Sequence, residues 1–323
     1  FFRVSFLSVM VAPALFADAR ALDGWFTRLA SAVELGPHVL SSSPWVVRLD
    51  SFVDARIAHE LANAVPRFRQ SLGFASNASQ SGQRIPSVRN STSFSCPLRA
   101  SCAKQADFSA HIGRMVRNLG LNLSHGDGVH VLRYQEGGFY KRHHDYIGQT
   151  ASAAHWARCG PRVITFMLYL EGEESGVRAI RGGETSFHHL RNREGGASRN
   201  MGVSNIFDVQ PRAGRALVWV NTKPDGSLQK DERTAHEART VTRGTKLVAT
   251  TWFHAFAARP TERLGCYPST MAPARNSEPQ PSHSHREAFQ AHRAPSHDTA
   301  LRTAWSWIHH ALRPSWTNPG HKR

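Results

Sequence analysis

Apolar residues recur at two different spacings along this chain, and the switch between them predicts its architecture. After a strand-like "WVVRLDSF" from Trp45, the stretches "DARIAHELANAVPRFRQSL" and "ADFSAHIGRMVRNLGL" carry apolar residues at helical intervals. In the second, Phe108, Ile112, Met115, Val116 and Leu119 share one face, the pattern of helices packed on a core. From residue 129 onward the runs become short and β-like: "VHVLRY", "RVITFMLYL", "ETSF", "NIFDV", "RALVWV" and "KLVATTWFH", separated by Gly, Pro and Asp turns. No crossover helix separates the later runs, so an antiparallel sandwich or jelly roll is expected rather than a doubly wound sheet.

The two ends read differently from this middle. Arg3 precedes an apolar run from Val4 to Ala17, followed by small residues at Ala19 and Ala21, which fits a signal peptide or short anchor. The run is short beside the roughly 20 apolar residues of a membrane span. Beyond Ala257 the chain is rich in Pro, Ser, His and Arg, a composition that cannot bury enough apolar surface to fold alone. Within it, residues 299–313 could form a basic amphipathic helix with Leu301, Trp305, Ile308 and Leu312 on one face. The expected division is therefore a leader and linker over 1–43, one folded domain over 44–257 and a disordered tail over 258–323.

Composition and charge narrow the class. With 323 residues and 40% hydrophobic residues the chain can bury a real core. A net charge of +16 favours acidic partners in principle, but the basic residues are dispersed rather than gathered into an arm, so no nucleic-acid partner is expected. Membrane contact is expected only through the N-terminal segment. Cys96, Cys102, Cys159 and Cys266 allow three pairings, with Cys96 and Cys102 close enough in sequence to close a short loop. Sequons at Asn77, Asn90 and Asn122 agree with a leader, and together they point to the secretory pathway, in the endoplasmic reticulum lumen or membrane. A soluble monomer is the default.

The chemistry centres on "YKRHHDYIG" at 140–148. On a strand His143 and Asp145 would face one way and His144 the other, the geometry of a His-x-Asp metal pair. His236 offers a third ligand, and two histidines with one carboxylate form a facial triad that leaves positions open on Fe(II). No cysteine pair has zinc-type CxxC spacing. Ten residues after His236, Lys246 opens the next strand, where a buried cation could neutralise the far carboxylate of a 2-oxo acid chelating the metal.

"VLRYQEGGFYKRHHDY", "RVITFMLYLEGEESGVRAIRGGETSF" and "VQPRAGRALVWVNTKPDGSLQKDERTAHEARTVTRGTKLVATTWFH" together resemble the catalytic domain of 2-oxoglutarate and Fe(II) dependent dioxygenases of the prolyl 4-hydroxylase type, across 44–257. The resemblance implies an α+β fold with a double-stranded β-helix (jelly-roll) core and flanking N-terminal helices. It implies Fe(II) held by His143, Asp145 and His236, and 2-oxoglutarate bound by Lys246 with Tyr134 and Thr185 beside it. Tyr140 and Arg162 match positions near the substrate entrance, and Trp252 would pack against the site. Gly182 and Gly183 would serve a tight turn or a close backbone approach. The implied reaction couples decarboxylation of 2-oxoglutarate to succinate and carbon dioxide with C4 hydroxylation of peptidyl proline by O2, L-ascorbate keeping the iron reduced. Its partner is a proline-rich chain in polyproline II form. Lysine or nucleic-acid hydroxylation within the superfamily, and a non-catalytic secreted binding module, are the alternatives. Two features depart from common family forms: Glu237 directly after the distal histidine, and an insertion-like loop at 190–205. Strand alternation would turn Glu237 away from the metal.

Overall fold

The computed structural model describes residues 16–65, 68–71, 86–96, 106–147, 159–172, 179–190 and 207–257. The leader residues 1–15, the tail from 258, Asn77, Cys102, Cys266 and most of the 190–205 insertion lie outside them. Among the described residues there are three α-helices: α1 (Ala19–Ala30), α2 (Ala55–Asn63) and α3 (Ala106–Asn118). The strands are β1 (Pro37–Ser42), β2 (Trp45–Leu49), β3 (Arg69–Gln70), β4 (Arg89–Asn90), β5 (Thr92–Cys96), β6 (Val129–Tyr134), β7 (Phe139–His143) and β8 (Arg162–Glu171). They continue with β9 (Arg181–Gly182), β10 (Thr185–Phe187), β11 (Phe207–Val209), β12 (Ala216–Val220), β13 (His236–Ala238), β14 (Val241–Arg243) and β15 (Lys246–His254).

An eight-stranded sheet runs β1-β2-β12-β8-β15-β6-β5-β3 and a five-stranded sheet runs β11-β10-β13-β7-β4, every described pairing antiparallel. The period-2 alternation of the large sheet builds two cores at once. Ile164, Phe166, Leu168 and Leu170 of β8 point to the helical side, with Ala216, Val218, Leu247, Ala249 and Phe253. The intervening Met167 and Tyr169, with Leu217, Trp219 and Val248, face the small sheet and meet its Tyr140, Phe187, Val209 and Ala238. The expected jelly roll with flanking helices is therefore what this sequence forms. Its inter-sheet layer mixes aromatic and polar residues, and that layer houses the site.

The folded domain begins earlier than the expected boundary at residue 44. Asp18 caps α1, accepting from the backbone N–H of Arg20 and Ala21 at 2.8 and 3.3 Å. Leu22, Trp25, Phe26 and Leu29 then follow at i, i+3, i+4 and i+7 and are buried in the same core as β8. The Trp25 indole donates to Leu119 O at 2.8 Å, tying α1 to the end of α3. β1 pairs along β2, so residues 16–43 are part of the domain rather than leader and linker.

The first of the two expected helices, over 54–72, is also shorter. It ends at Asn63, two residues before the Val65-Pro66 step, and Arg69 and Gln70 pair with β5 instead. A residue preceding proline is driven out of the helical region, which explains the stop. In α3, Ile112, Val116 and Leu119 are buried as the spacing predicts, with Met115 packed beside them; the Phe108 side chain lies outside the described residues. Among the described residues no helix is long and apolar enough to cross a membrane.

Candidate metal centre

β7 and β13 lie side by side with His143 opposite His236. Between that rung and the next, Tyr140 opposite Ala238, β7 holds one residue more than β13. This bulge matters for aim, because uninterrupted alternation would turn Tyr140 and His143 to opposite faces. With the extra residue both rings face inward and stack, centroids 3.6 Å apart at 16°. Asp145 lies two residues beyond His143 and turns the same way, while His144 points away from them, its Nε2 2.7 Å from Asp231 O. The His-x-Asp geometry expected from alternation is the one observed.

One ligand atom from each of His143, Asp145 and His236 lies within 4.8 Å of the others. His143 Nε2 is 3.7 Å from Asp145 Oδ1, and His236 Nε2 is 3.8 Å from Oδ2. The opposite ring nitrogens contact backbone carbonyls: His143 Nδ1 lies 2.9 Å from Lys141 O and His236 Nδ1 lies 3.0 Å from Thr234 O. A carbonyl only accepts, so both Nδ1 atoms carry a proton and both Nε2 atoms face the carboxylate, the orientation a metal requires. Burial alone would raise the Asp145 pKa, but His236 and then His143 outweigh it and hold it at about 2. Burial, reinforced by His236, pushes His143 down to about 3, so it is neutral at neutral pH. Two imidazoles and one carboxylate suit a divalent first-row cation.

Lys246 opens β15, opposite Tyr134, and is 1% exposed. Its Nζ donates to Thr185 Oγ1 at 3.1 Å, which also accepts from Tyr169 OH at 2.8 Å. Burial lowers the Lys246 pKa to about 7 against an opposing pull from Glu184, and among the described residues no carboxylate forms an ion pair with it. Its ammonium lies 5.4 Å from the Tyr134 ring centre and 5.7 Å from that of Tyr169. A buried lysine without a carboxylate beside it is suited to an incoming anion. Burial raises Tyr134 to about 12, keeping its phenol protonated.

Register relates the two clusters. Phe187 is opposite His236 and Thr185 is opposite Ala238, so Lys246 and Thr185 sit one two-residue step from the histidines, roughly 7 Å along the strand. Gly183, at φ +73°, lets the backbone pass where a Cβ would meet Val241 Cγ2 at 3.0 Å and the Lys246 stem at 3.5 Å.

Arg162 sits differently from a free entrance residue. Its Nε and Nη2 both donate to the buried Asp127 Oδ2, at 3.1 and 2.7 Å, and its guanidinium lies 3.8 Å from the centre of the Trp252 ring. Trp252 also meets His130 at 4.6 Å, so its packing role agrees with expectation. Glu237 points to the outer face, 3.1 Å from His188 Nε2, away from the metal ligands as alternation requires. Two contributors were not singled out from the sequence. Arg89 lies over Tyr140 at 4.5 Å, and Thr165 donates to Asp145 Oδ2 at 3.0 Å. Arg89 leaves no sequence signal, whereas Thr165 is the one polar side chain among the apolar residues between Val163 and Leu168.

Comparison with known proteins follows the same residues. Residues 129–254 match the family model of the 2OG-Fe(II) oxygenase superfamily. Among curated proteins of Arabidopsis thaliana, "Probable prolyl 4-hydroxylase 9" is 33% identical over 135 residues, covering 40% of this chain and 41% of that protein. "Prolyl 4-hydroxylase 13" is 35% identical over 130 residues, covering 39% and 42%. The chain thus spans about two fifths of the length of these relatives, 41% and 42%. A solved viral collagen prolyl hydroxylase from Paramecium Bursaria Chlorella virus-1 overlaps 65% of this chain and 95% of its own at 20% identity, with a TM-score of 0.43. The ligand set, the register that joins it to Lys246 and the sequence match fall in one segment, and over 129–254 this chain resembles the 2OG-Fe(II) oxygenase superfamily, prolyl 4-hydroxylase type.

Proposed function

We propose that this chain is a 2-oxoglutarate- and Fe(II)-dependent dioxygenase that hydroxylates peptidyl proline at C4. The observation that carries the reading is the pairing of His143, Asp145 and His236 with a buried Lys246 that has no carboxylate partner among the described residues, one dipeptide step away in the same layer. That separation suits a short dicarboxylate reaching from the metal ligands to the ammonium. His143, Asp145 and His236 would hold Fe(II), and Lys246 with Thr185, Tyr169 and Tyr134 would hold the distal carboxylate of 2-oxoglutarate. With both bound there, O2 would be the oxidant, and oxidation of 2-oxoglutarate to succinate and carbon dioxide would supply the two electrons that hydroxylation of the substrate does not.

The protein's own contributions are positional. Lys141 O and Thr234 O fix the imidazole orientations, and a carboxylate beside Lys246 would raise its depressed pKa and hold the ammonium charged. The Tyr140 ring stacked on His143 is assigned to the peptide, whereas Arg162 is committed to Asp127. Proline as the target is supported by the prolyl 4-hydroxylase relatives at 33% and 35% identity. L-ascorbate is assigned as reductant of stray ferric iron.

The secretory pathway, at the endoplasmic reticulum, is the proposed location. Cys96 and Cys159 are each in a disulfide, which supports an oxidising compartment. Two of the sequon asparagines are engaged in the fold: Asn90 donates to Gly137 O at 3.1 Å, and Asn122 Oδ1 accepts from Ser124 N at 3.0 Å.

The test is turnover by the full chain with Fe(II), 2-oxoglutarate, ascorbate and a proline-rich peptide, alongside His143→Ala. Peptide-dependent succinate, lost in the variant, with one added oxygen on proline is the expected result. Succinate without a modified proline would overturn the substrate assignment, and no metal-dependent succinate would overturn the enzyme assignment.

A further inference from the structure

Asp145 has two oxygens within reach of a cation, and each faces a different histidine. Something must decide which of them becomes the ligand. Thr165, fully buried on the inward face of β8, places its Oγ1 3.0 Å from Asp145 Oδ2 and 2.9 Å from Asn221 Nδ2. The direction of this chain of bonds is fixed by what each group can do. The amide N–H2 of Asn221 only donates, so Thr165 Oγ1 accepts from it and its own hydrogen is left for the carboxylate, which only accepts when ionised. With the Asn221 amide reversed, its oxygen would compete with Asp145 for that single hydrogen, and one of the two oxygen contacts would have none.

Asn221 is itself held. Its backbone N–H donates to Val163 O at 2.8 Å, and its carbonyl accepts from Asp231 N at 3.0 Å. Asp231 opens the short 3-10 turn containing Thr234, whose carbonyl receives His236 Nδ1. One buried residue therefore links the strand behind Asp145 to the turn ahead of His236.

Building on the metal-centre reading above, we infer that Thr165, oriented by Asn221, is a positioning residue for the metal. It occupies Asp145 Oδ2 with a hydrogen bond, so that Oδ1, on the His143 side, is presented to the cation and the carboxylate binds through one oxygen. Groups that orient a ligand in this way typically affect metal affinity by about 10–100-fold.

The experiment uses the full chain and Co(II) as a visible stand-in for Fe(II), following the d–d absorption during titration without cosubstrate. Thr165→Val keeps the side-chain shape and removes the hydroxyl, Thr165→Ser keeps the hydroxyl, Asn221→Leu frees the hydroxyl to rotate, and His143→Ala is the ligand control. The expected result is a Co(II) dissociation constant raised about 10–100-fold in Thr165→Val with an altered d–d spectrum. Recovery of most of that affinity in Thr165→Ser and a smaller loss in Asn221→Leu are expected alongside, with metal-free melting temperatures near the parent. Parent-like affinity and spectrum in both Thr165→Val and Asn221→Leu would overturn the inference while leaving the metal centre intact. Failure of Thr165→Ser to recover affinity would show that volume, not the hydroxyl, matters. A parent chain that binds Co(II) no better than His143→Ala would overturn the metal reading and this inference together.

Discussion

Replacing Lys246 with methionine should make the metal-free protein more stable while removing its capacity to hold 2-oxoglutarate. Lys246 is buried, its only hydrogen bond among the described residues goes to Thr185, and burial drops its pKa from 10.5 to about 7. The folded state therefore resists a proton that the unfolded chain binds readily. Between pH 7 and 10.5 the unfolded chain holds more protons, so stability rises with pH through this window and the penalty is greatest below it. At pH 7 the penalty amounts to about 4 kcal/mol. Methionine removes the charge, keeps most of the stem and leaves the Tyr169 bond to Thr185 in place. Losing the Lys246 to Thr185 bond takes back about 1 kcal/mol, for a net gain of about 3 kcal/mol. In a domain of this size that raises the melting temperature by roughly 6–12 °C. The assay is thermal and urea denaturation of parent and Lys246→Met, without cosubstrate, at pH 7 and pH 10.5, with calorimetric titration of 2-oxoglutarate. Equal or lower stability of the variant at pH 7, or a difference that does not shrink to about 1 kcal/mol or less at pH 10.5, would refute the reasoning.

Three other substitutions probe separate parts of the account. Arg162→Met leaves Asp127 buried without its guanidinium and should cost about 3–5 kcal/mol in urea denaturation; a loss below about 1 kcal/mol would contradict the buried pair. Glu237→Gln, on the outer face beside His188, should leave Co(II) affinity unchanged and stability within about 0.5 kcal/mol; weakened metal binding would place the side chain inward after all. Phe26→Ala, at a fully buried position of α1, should destabilise the whole domain by about 3–5 kcal/mol in a single transition, whereas a neutral effect would return α1 to the leader.

Much of this organisation is legible in the sequence, for identifiable reasons. His143 and Asp145 share a face because strand alternation is geometric, and Lys246 reveals itself by opening a long β-type run. The same alternation places Glu237 outside. Other features were hidden by ambiguity in the residues themselves. The apolar run ending at Ala17 reads like a leader and merges with α1, where Leu22, Trp25, Phe26 and Leu29 serve a core that only the tertiary fold supplies. Thr165 looks like an ordinary β-former, since threonine favours strands whether or not its hydroxyl has a task. The bulge that brings Tyr140 onto His143 depends on pairing with β13, nearly a hundred residues away, and leaves no local mark. Arg162 matches an entrance position, yet its buried partner Asp127 lies 35 residues earlier and is visible only in the fold.

The most direct test of the central claim follows the oxygen atoms. Full-chain protein with Fe(II), ascorbate, 2-oxoglutarate and a proline-rich peptide is incubated under isotopically heavy dioxygen, and both succinate and peptide are analysed by mass spectrometry. The account predicts one heavy oxygen in succinate and one on a prolyl residue at C4, both lost in His143→Ala. A peptide that gains no heavy oxygen while parent and variant give the same succinate would contradict it.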